Sequence, residues 1–238
     1  MHRTALPSLA LLLFSAAGTH AAEVPQVYLS EGELNYVGYL DADANQRLFA
    51  LYESLENKPS VLSIRSRGGD VMHGMALGSW VHAHKLDVKV MEFCMSSCAN
   101  YVFTAAGRKI VGSAATIAFH GGLSSMSFTV GGSDKEAYAA MTQQQKDAYM
   151  ATLRKGMEPA VAKEADFFKS IGVRQEITTY GQQAKFKAIM EANENTSGWT
   201  YSQEGFRRFG VEGIDVVNPP WAPRLLTMRT GIVRLDVE

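Results

Sequence analysis

The residues of this chain that could do chemistry fall in three short segments. The first is Glu92–Gly107, EFCMSSCANYVFTAAG, which holds the only two cysteines, Cys94 and Cys98, with Ser96 and Ser97 between them. A strand-like run enters it and an apolar, helix-like run leaves it. A strand–turn–helix of small residues presents a side chain at a helix N-terminus, where N–H groups and the helix dipole stabilise a thiolate or an oxyanion. Cys98, at the expected first turn, is the candidate nucleophile. Ser97, one place earlier with its side chain in another direction, is the poorer alternative nucleophile, and the Ala99 N–H is the natural oxyanion donor. The second segment is Ser66-Arg67-Gly68-Gly69, at the end of the β-branched run VLSIRS. Paired glycines after a strand let the backbone approach a ligand and turn N–H groups of Gly68 and Gly69 toward an anion; a plain strand-to-helix turn is the alternative. The third is TIAFHGG, in which His120 ends an apolar strand, a position suited to a general base. A histidine satisfied by backbone contacts is the bland reading.

Two readings of the cysteines stay open. A nucleophile needs a free thiol, whereas an oxidising compartment favours a Cys94–Cys98 disulfide. The bridge requires Cα atoms within about 7 Å and converging Cβ vectors. A permanent bridge silences Cys98; a labile one makes a redox latch. Other candidates are weaker. His82 and His84 read as a helix end rather than metal ligands, since no matching Cys/Asp/Glu cluster accompanies them. The methionines at 72, 75, 141, 150, 157 and 190 read as packing. No metal and no cofactor is expected.

The elements that must position these residues alternate. Gln26–Leu29 and Leu34–Leu40 read as strands, and DADANQRLFALYESLENK reads as a helix with Leu48, Leu51 and Leu55 in register and Asp41 or Asp43 as cap. VLSIRS is a buried strand. VMHGMALGSWVHAH is a helix burying Met72, Met75, Ala76, Trp80 and Val81, and LDVKVMEF is a strand. CANYVFTAA is a helix, and KIVG and ATIAFH are strands. Gly121–Asp134 is a surface loop, Asp134–Gly172 helical with a break near Pro159, and Val173–Asn193 mostly helical. SQEGFRRFG is a short helix, GIDVV a strand, and residues 227–238 an edge strand. The rhythm predicts an α/β fold with a largely parallel sheet.

The 238 residues suit one globular domain with small additions. Residues 1–21 read as a signal peptide: His2 and Arg3, an apolar stretch from Leu6 to Ala17, then small residues before a cut after Ala21 or Ala22. Its removal takes away Arg3 and moves the net charge from −1 to −2. That charge, with no basic block, argues against nucleic-acid binding. No later segment reaches transmembrane length, so no stable membrane insertion is expected after cleavage. The mature protein is expected to be periplasmic or secreted. Asn195-Thr196-Ser197 is a glycosylation sequon that matters only in a eukaryotic secretory route.

Together, the order and spacing of these segments from Leu62 to Gly122 resemble the Clp protease proteolytic subunit, within the Clp/crotonase superfamily. Ser66-Arg67-Gly68-Gly69 takes the place of that family's Ser-Pro-Gly-Gly. Cys94-Met95-Ser96-Ser97-Cys98 matches its Gly-x-Ala-Ala-Ser without gaps, ending at Ala106-Gly107. Arg108-Lys109 then leads to His120 as the family's histidine, and FRRFGVEGIDVV is similar to its Glu-Tyr-Gly-Leu-Val-Asp segment. The resemblance covers residues 27 to 217. It implies a spiral of ββα units with a largely parallel sheet and C-terminal helices over residues 22–217, followed by a tail at 218–238. It also implies a peptidase-like hydrolase with Cys98 in the nucleophile's place, His120 as base, peptides or unfolded proteins as substrates, and a homo-oligomer. The family's third catalytic residue, an aspartate, falls near Gly198, where no acid stands; Glu194 and Asn195 are the nearest polar residues. Outside the cytoplasm an ATP-driven partner is not expected. A catalytically inactive Clp-like module that binds peptides or partners is the alternative. Crotonase-type chemistry on acyl-CoA is a third reading, opposed by export.

Overall fold

Alternation and capping lay down the first elements. In the computed structural model, which describes residues 24–125, 134–192, 194–223 and 231–237, the strands β1 (Gln26–Ser30) and β2 (Glu33–Val37) form a hairpin. Its two-residue turn has Glu31 at φ 53° and Gly32 at φ 77°, the left-handed pair that matches strand twist. Helix α1 (Ala42–Ser54) starts where the Asp41 carboxylate accepts from the Ala44 N–H (2.7 Å). Strand β3 (Val61–Arg65), helix α2 (Val71–Ala83) and strand β4 (Asp87–Val90) follow.

The expected strand LDVKVMEF is two strands. The chain bends at Met91–Glu92, and β5 (Phe93–Met95) leaves the main sheet. The expected helix after it is a π-helix, Cys98–Phe103. Then come β6 (Lys109–Gly112), β7 (Thr116–Ala118), α3 (Asp134–Ala140) and α4 (Gln143–Ile171). Three 3-10 turns between Gln175 and Phe186 precede α5 (Lys187–Glu191), β8 (Gly198–Tyr201), α6 (Gln203–Arg208), β9 (Ile214–Val217) and β10 (Ile232–Leu235). The helical break expected near Pro159 falls instead at Met141–Thr142. There Thr142 and Gln145 form a reciprocal capping box. Helix α4 runs through Pro159 on its exposed side, where water can reach the carbonyl that loses its partner.

The fold is mixed α/β. The main sheet has the order β1-β2-β3-β4-β6-β9 and is parallel from β2 onward. Its helix-covered face buries Leu34, Tyr36, Leu62, Ile64, Val88, Val90 and Val111. The other face carries half-buried polar residues, among them Glu33 and Lys89, paired at 2.9 Å. The expected buried strand VLSIRS is buried on one face only: Leu62 and Ile64 are buried, Ser63 is half-buried and Arg65 exposed. A second line of strands carries Cys94 and leads to His120. The end of β3 bridges to β5 at Ser66↔Cys94, β5 pairs with β7, and Phe119 just beyond β7 bridges to Trp199 of β8. Strand β10 pairs with β8, so the chain beyond residue 217 returns to the body.

Helix α2 buries Gly74, Met75, Leu77, Gly78 and Val81, a face set off from the expected one: Met72 is exposed and Trp80 is partly covered, stacked on Phe49. The two glycines let α2 lie directly on the π-helix. A Cβ at Gly74 would come within 2.9 Å of the Tyr101 ring, and one at Gly78 would collide with the Tyr101 carbonyl oxygen. The segment expected to be a signal, residues 1–21, lies outside the described residues. So do residues 126–133 of the expected Gly121–Asp134 loop. Among the described residues no helix is long and apolar enough to cross a membrane.

Two predictions come from this packing. Gly78→Ala forces α2 off the π-helix and lowers the unfolding free energy by about 1–3 kcal/mol, measured by urea titration. The second concerns Lys109, buried with its ammonium donating to the carbonyls of Ala106 and Glu212. Desolvation lowers it from 10.5 to about 8. Below pH 8 both folded and unfolded chains hold this proton, and folding bears the cost of burying the charge. From about pH 8 toward 10 the folded chain sheds it first, the unfolded chain binds more protons, and stability rises. Burial raises Tyr36 to about 12 and pushes Tyr101 and Tyr201 up as well, so above about pH 10 stability falls again. The denaturation midpoint is expected to climb between pH 8 and 10, and the climb to be absent in Lys109→Met.

Candidate functional site

The register of β5 and β7 sets the site. The pair Met95↔Ala118 ends both strands at one level, and the Ser96 N–H donates to the Ala118 carbonyl (2.9 Å). Ser96, the residue after Met95, and His120, two residues after Ala118, emerge side by side. The Ser96 Oγ lies 2.7 Å from His120 Nε2, within hydrogen-bond reach for proton transfer.

Ser96 has φ +54°, a left-handed conformation that a non-glycine residue adopts at a cost. Ser97 is already helical, with φ −55° and ψ −28°, and the Ser96 carbonyl accepts from Asn100 N–H (2.8 Å). Ser96 thus stands on a sharp strand-to-helix turn, with the geometry that a nucleophile elbow has. Its side chain is half-buried, and His120 is exposed.

Cys94 and Cys98 form a disulfide, with Cα atoms 5.3 Å apart and neither residue exposed. This decides between the two cysteine readings and corrects the assignment of Cys98: it has no thiol to ionise and no contact with His120. Ser97 is also not the partner of His120. Its hydroxyl is buried and donates to the Gly69 carbonyl (2.9 Å), which ties the Gly-Gly segment to the turn. The gap-free count to Cys98 misses because it assumes an α-helix before Ala106-Gly107. The helix there is a π-helix, which closes i→i+5 turns and takes up more residues per turn.

Gly68 and Gly69 do lie against the elbow, with different parts from those expected. The Gly68 N–H is taken by Ser66 Oγ (3.0 Å), so it is no oxyanion donor. Its missing side chain matters instead: a Cβ there would lie 2.8 Å from Ser96 Cβ and 3.0 Å from Ser97 N, covering the N–H that follows Ser96. Gly69 lies at an isolated bridge to Leu40 whose bonds use the flanking Gly68 carbonyl and Asp70 N–H, leaving its own N–H outside the ladder. The donor adjacent to Ser96 is Ser97 N–H, in the first helical turn before the helix's own bonds begin. Ala99, three residues on and buried, is not that donor.

Gly198 stands where the third residue was expected, packed against Phe119 so that a Cβ would strike the Phe119 carbonyl. Among the described residues the ring of His120 has Ser96 as its hydrogen-bond partner and no carboxylate. His82 and His84 bond the carbonyls of Ala105 and Trp80, and no cluster of three metal-ligating side chains occurs among the described residues.

Besides Ser96, a further residue escaped sequence reasoning. Glu164 on α4 is fully buried and accepts from four donors, two of them backbone N–H groups just past His120. A single glutamate in a polar helix carries no local signal of this.

Protein denatured without reductant is expected to resist alkylation at both cysteines. The peptide spanning Cys94 and Cys98 should be two hydrogens lighter by mass spectrometry than after reduction; alkylation at either cysteine would contradict the bridge. In comparisons with known proteins, no family model matches the chain and no curated protein matches its sequence.

Proposed function

We propose that this chain is an exported serine hydrolase on a Clp/crotonase-like spiral, acting on peptide bonds of short or unfolded substrates without ATP. The observation that carries the reading is the 2.7 Å contact of His120 Nε2 with Ser96 Oγ, on a serine held at φ +54°. The strand–Gly-Gly–helix and strand–elbow–helix order supports the fold. The disulfide supports a periplasmic or secreted location.

In the acylation step Ser96 Oγ bonds to the scissile carbonyl carbon while His120 Nε2 takes its proton. The negative charge that develops on the carbonyl oxygen is met by the N–H groups of Ser97 and Gly69. The C–N bond then breaks, and His120 gives its proton to the leaving amine. Water attacks the acyl-serine, His120 takes a proton from it, and that proton returns to Ser96 as the acid leaves. A histidine without a carboxylate partner still serves as base, with less orientation of its ring.

That no carboxylate meets His120 among the described residues favours the second reading, a Clp-like module that binds peptides without cutting them. A fluorophosphonate probe separates the two. Wild-type protein is expected to label at Ser96 at neutral pH. Ser96→Ala should lose the label completely, and His120→Ala should label about 100-fold more slowly or worse. Ser97→Ala and Cys98→Ala should still label at Ser96. Unlabelled wild type under conditions that label a control hydrolase favours the binding module, and label persisting in Ser96→Ala overturns the assignment of the nucleophile.

A further inference from the structure

The candidate dyad comes from two separate stretches of backbone, and one buried carboxylate touches both. Glu164 Oε1 accepts from the Tyr101 hydroxyl (2.6 Å) and the Leu123 N–H (3.1 Å). Its Oε2 accepts from the Gln175 side chain (2.6 Å) and the Ser124 N–H (3.2 Å). Tyr101 belongs to the π-helix that Ser96 opens, and Leu123 and Ser124 follow His120 by three and four residues. All four partners donate, which suits an acceptor-only group; an amide in its place would set an NH2 against donors.

The chain beyond His120 has little shape of its own. Gly121 and Gly122 come next, with Gly121 at φ +138°, and glycines leave the backbone free to take many paths. Its course is therefore set by what it is bonded to. The Asn100 side chain donates to the Gly121 carbonyl (2.8 Å), and Ser125 Oγ accepts from Gly122 N–H (2.9 Å). Glu164 then takes the next two N–H groups. The fit is close: a Cβ on Gly122 would lie 2.7 Å from Glu164 Oε1.

We infer that Glu164 is a positioning residue of the site, one that sets the distance between Ser96 and His120 by binding the π-helix of the first and the glycine loop of the second. The inference rests on the hydrolase reading for its catalytic consequence, but the anchoring itself does not. The experiment uses the full chain and compares wild type with Glu164→Gln by hydrogen exchange and by fluorophosphonate labelling at Ser96. Exchange at Leu123 and Ser124 is expected to quicken about tenfold or more, with the amides of β3 and β4 unchanged. Labelling is expected to slow by about tenfold or more.

Faster exchange throughout the core would mean that Glu164 acts on global stability alone, and would overturn the inference. So would unchanged exchange, or loop exchange that quickens while labelling holds its rate. If wild type labels and Glu164→Gln labels equally well, the inference falls and the hydrolase reading stands. If wild type does not label, the hydrolase reading falls, and with it the catalytic part of the inference; the exchange rates still decide whether Glu164 anchors the loop. Should Glu164→Gln not accumulate as folded protein, Tyr101→Phe severs only the link to the Ser96 helix. It is expected to slow labelling by a smaller factor without altering exchange at Leu123 and Ser124, and unslowed labelling would overturn the inference.

Discussion

A serine at φ +54° remains there only while its surroundings allow it no other path. Around Ser96 four constraints meet. Its N–H is bonded to the end of β7, and its carbonyl caps the helix that follows. The Gly68 backbone lies against its Cβ. The disulfide ties the residue two places before it to the residue two places after. Each restrains the chain on a different side. The rest of the site depends on this turn, because the side chain leaves a left-handed residue in a direction that no neighbouring residue shares. Ser97 and Cys98, one and two places on, point into the protein instead.

The architecture behind the turn is organised around close approach. Helix α2 spends two glycines to rest on the π-helix. The buried polar groups are settled by convergence: Glu164 gathers four donors, and Lys109 donates to two carbonyls. Burying charge this way is tolerable only when the hydrogen bonds are complete. Aromatic rings fill the space behind the histidine strand, where Tyr201 packs against Phe119, Phe206 and Phe209. The Tyr201 hydroxyl accepts from the Trp199 indole and donates to the Ile177 carbonyl.

Much of this was legible from local pattern. Alternating apolar residues marked β2, β3 and β4, Asp41 marked the start of α1, and the paired glycines and His120 marked two edges of the site. What escaped was set by contacts distant in sequence or by unusual helix geometry. Ser96 was passed over because residue counting presumes regular turns, and the π-helix breaks that presumption. The disulfide was undecided because a spacing of four permits it without requiring it. Glu164 looks like any solvated acid on α4, since its four donors come from residues 101, 123, 124 and 175. The break in the long helix was misplaced because proline is a conspicuous signal, whereas the stronger stop at Thr142 is a matched pair of polar side chains.

The bridge between Phe119 and Trp199 carries a consequence for the order of assembly. The strand that delivers His120 has β5 on one side and β8 on the other, and β8 in turn lies beside β10. The last of these neighbours is made long after Ser96 and His120 have both been synthesised. Ser96 and His120 are thus encoded well before the strands that complete the wall behind them. Completion of the wall behind the candidate site waits for β10, the last strand among the described residues.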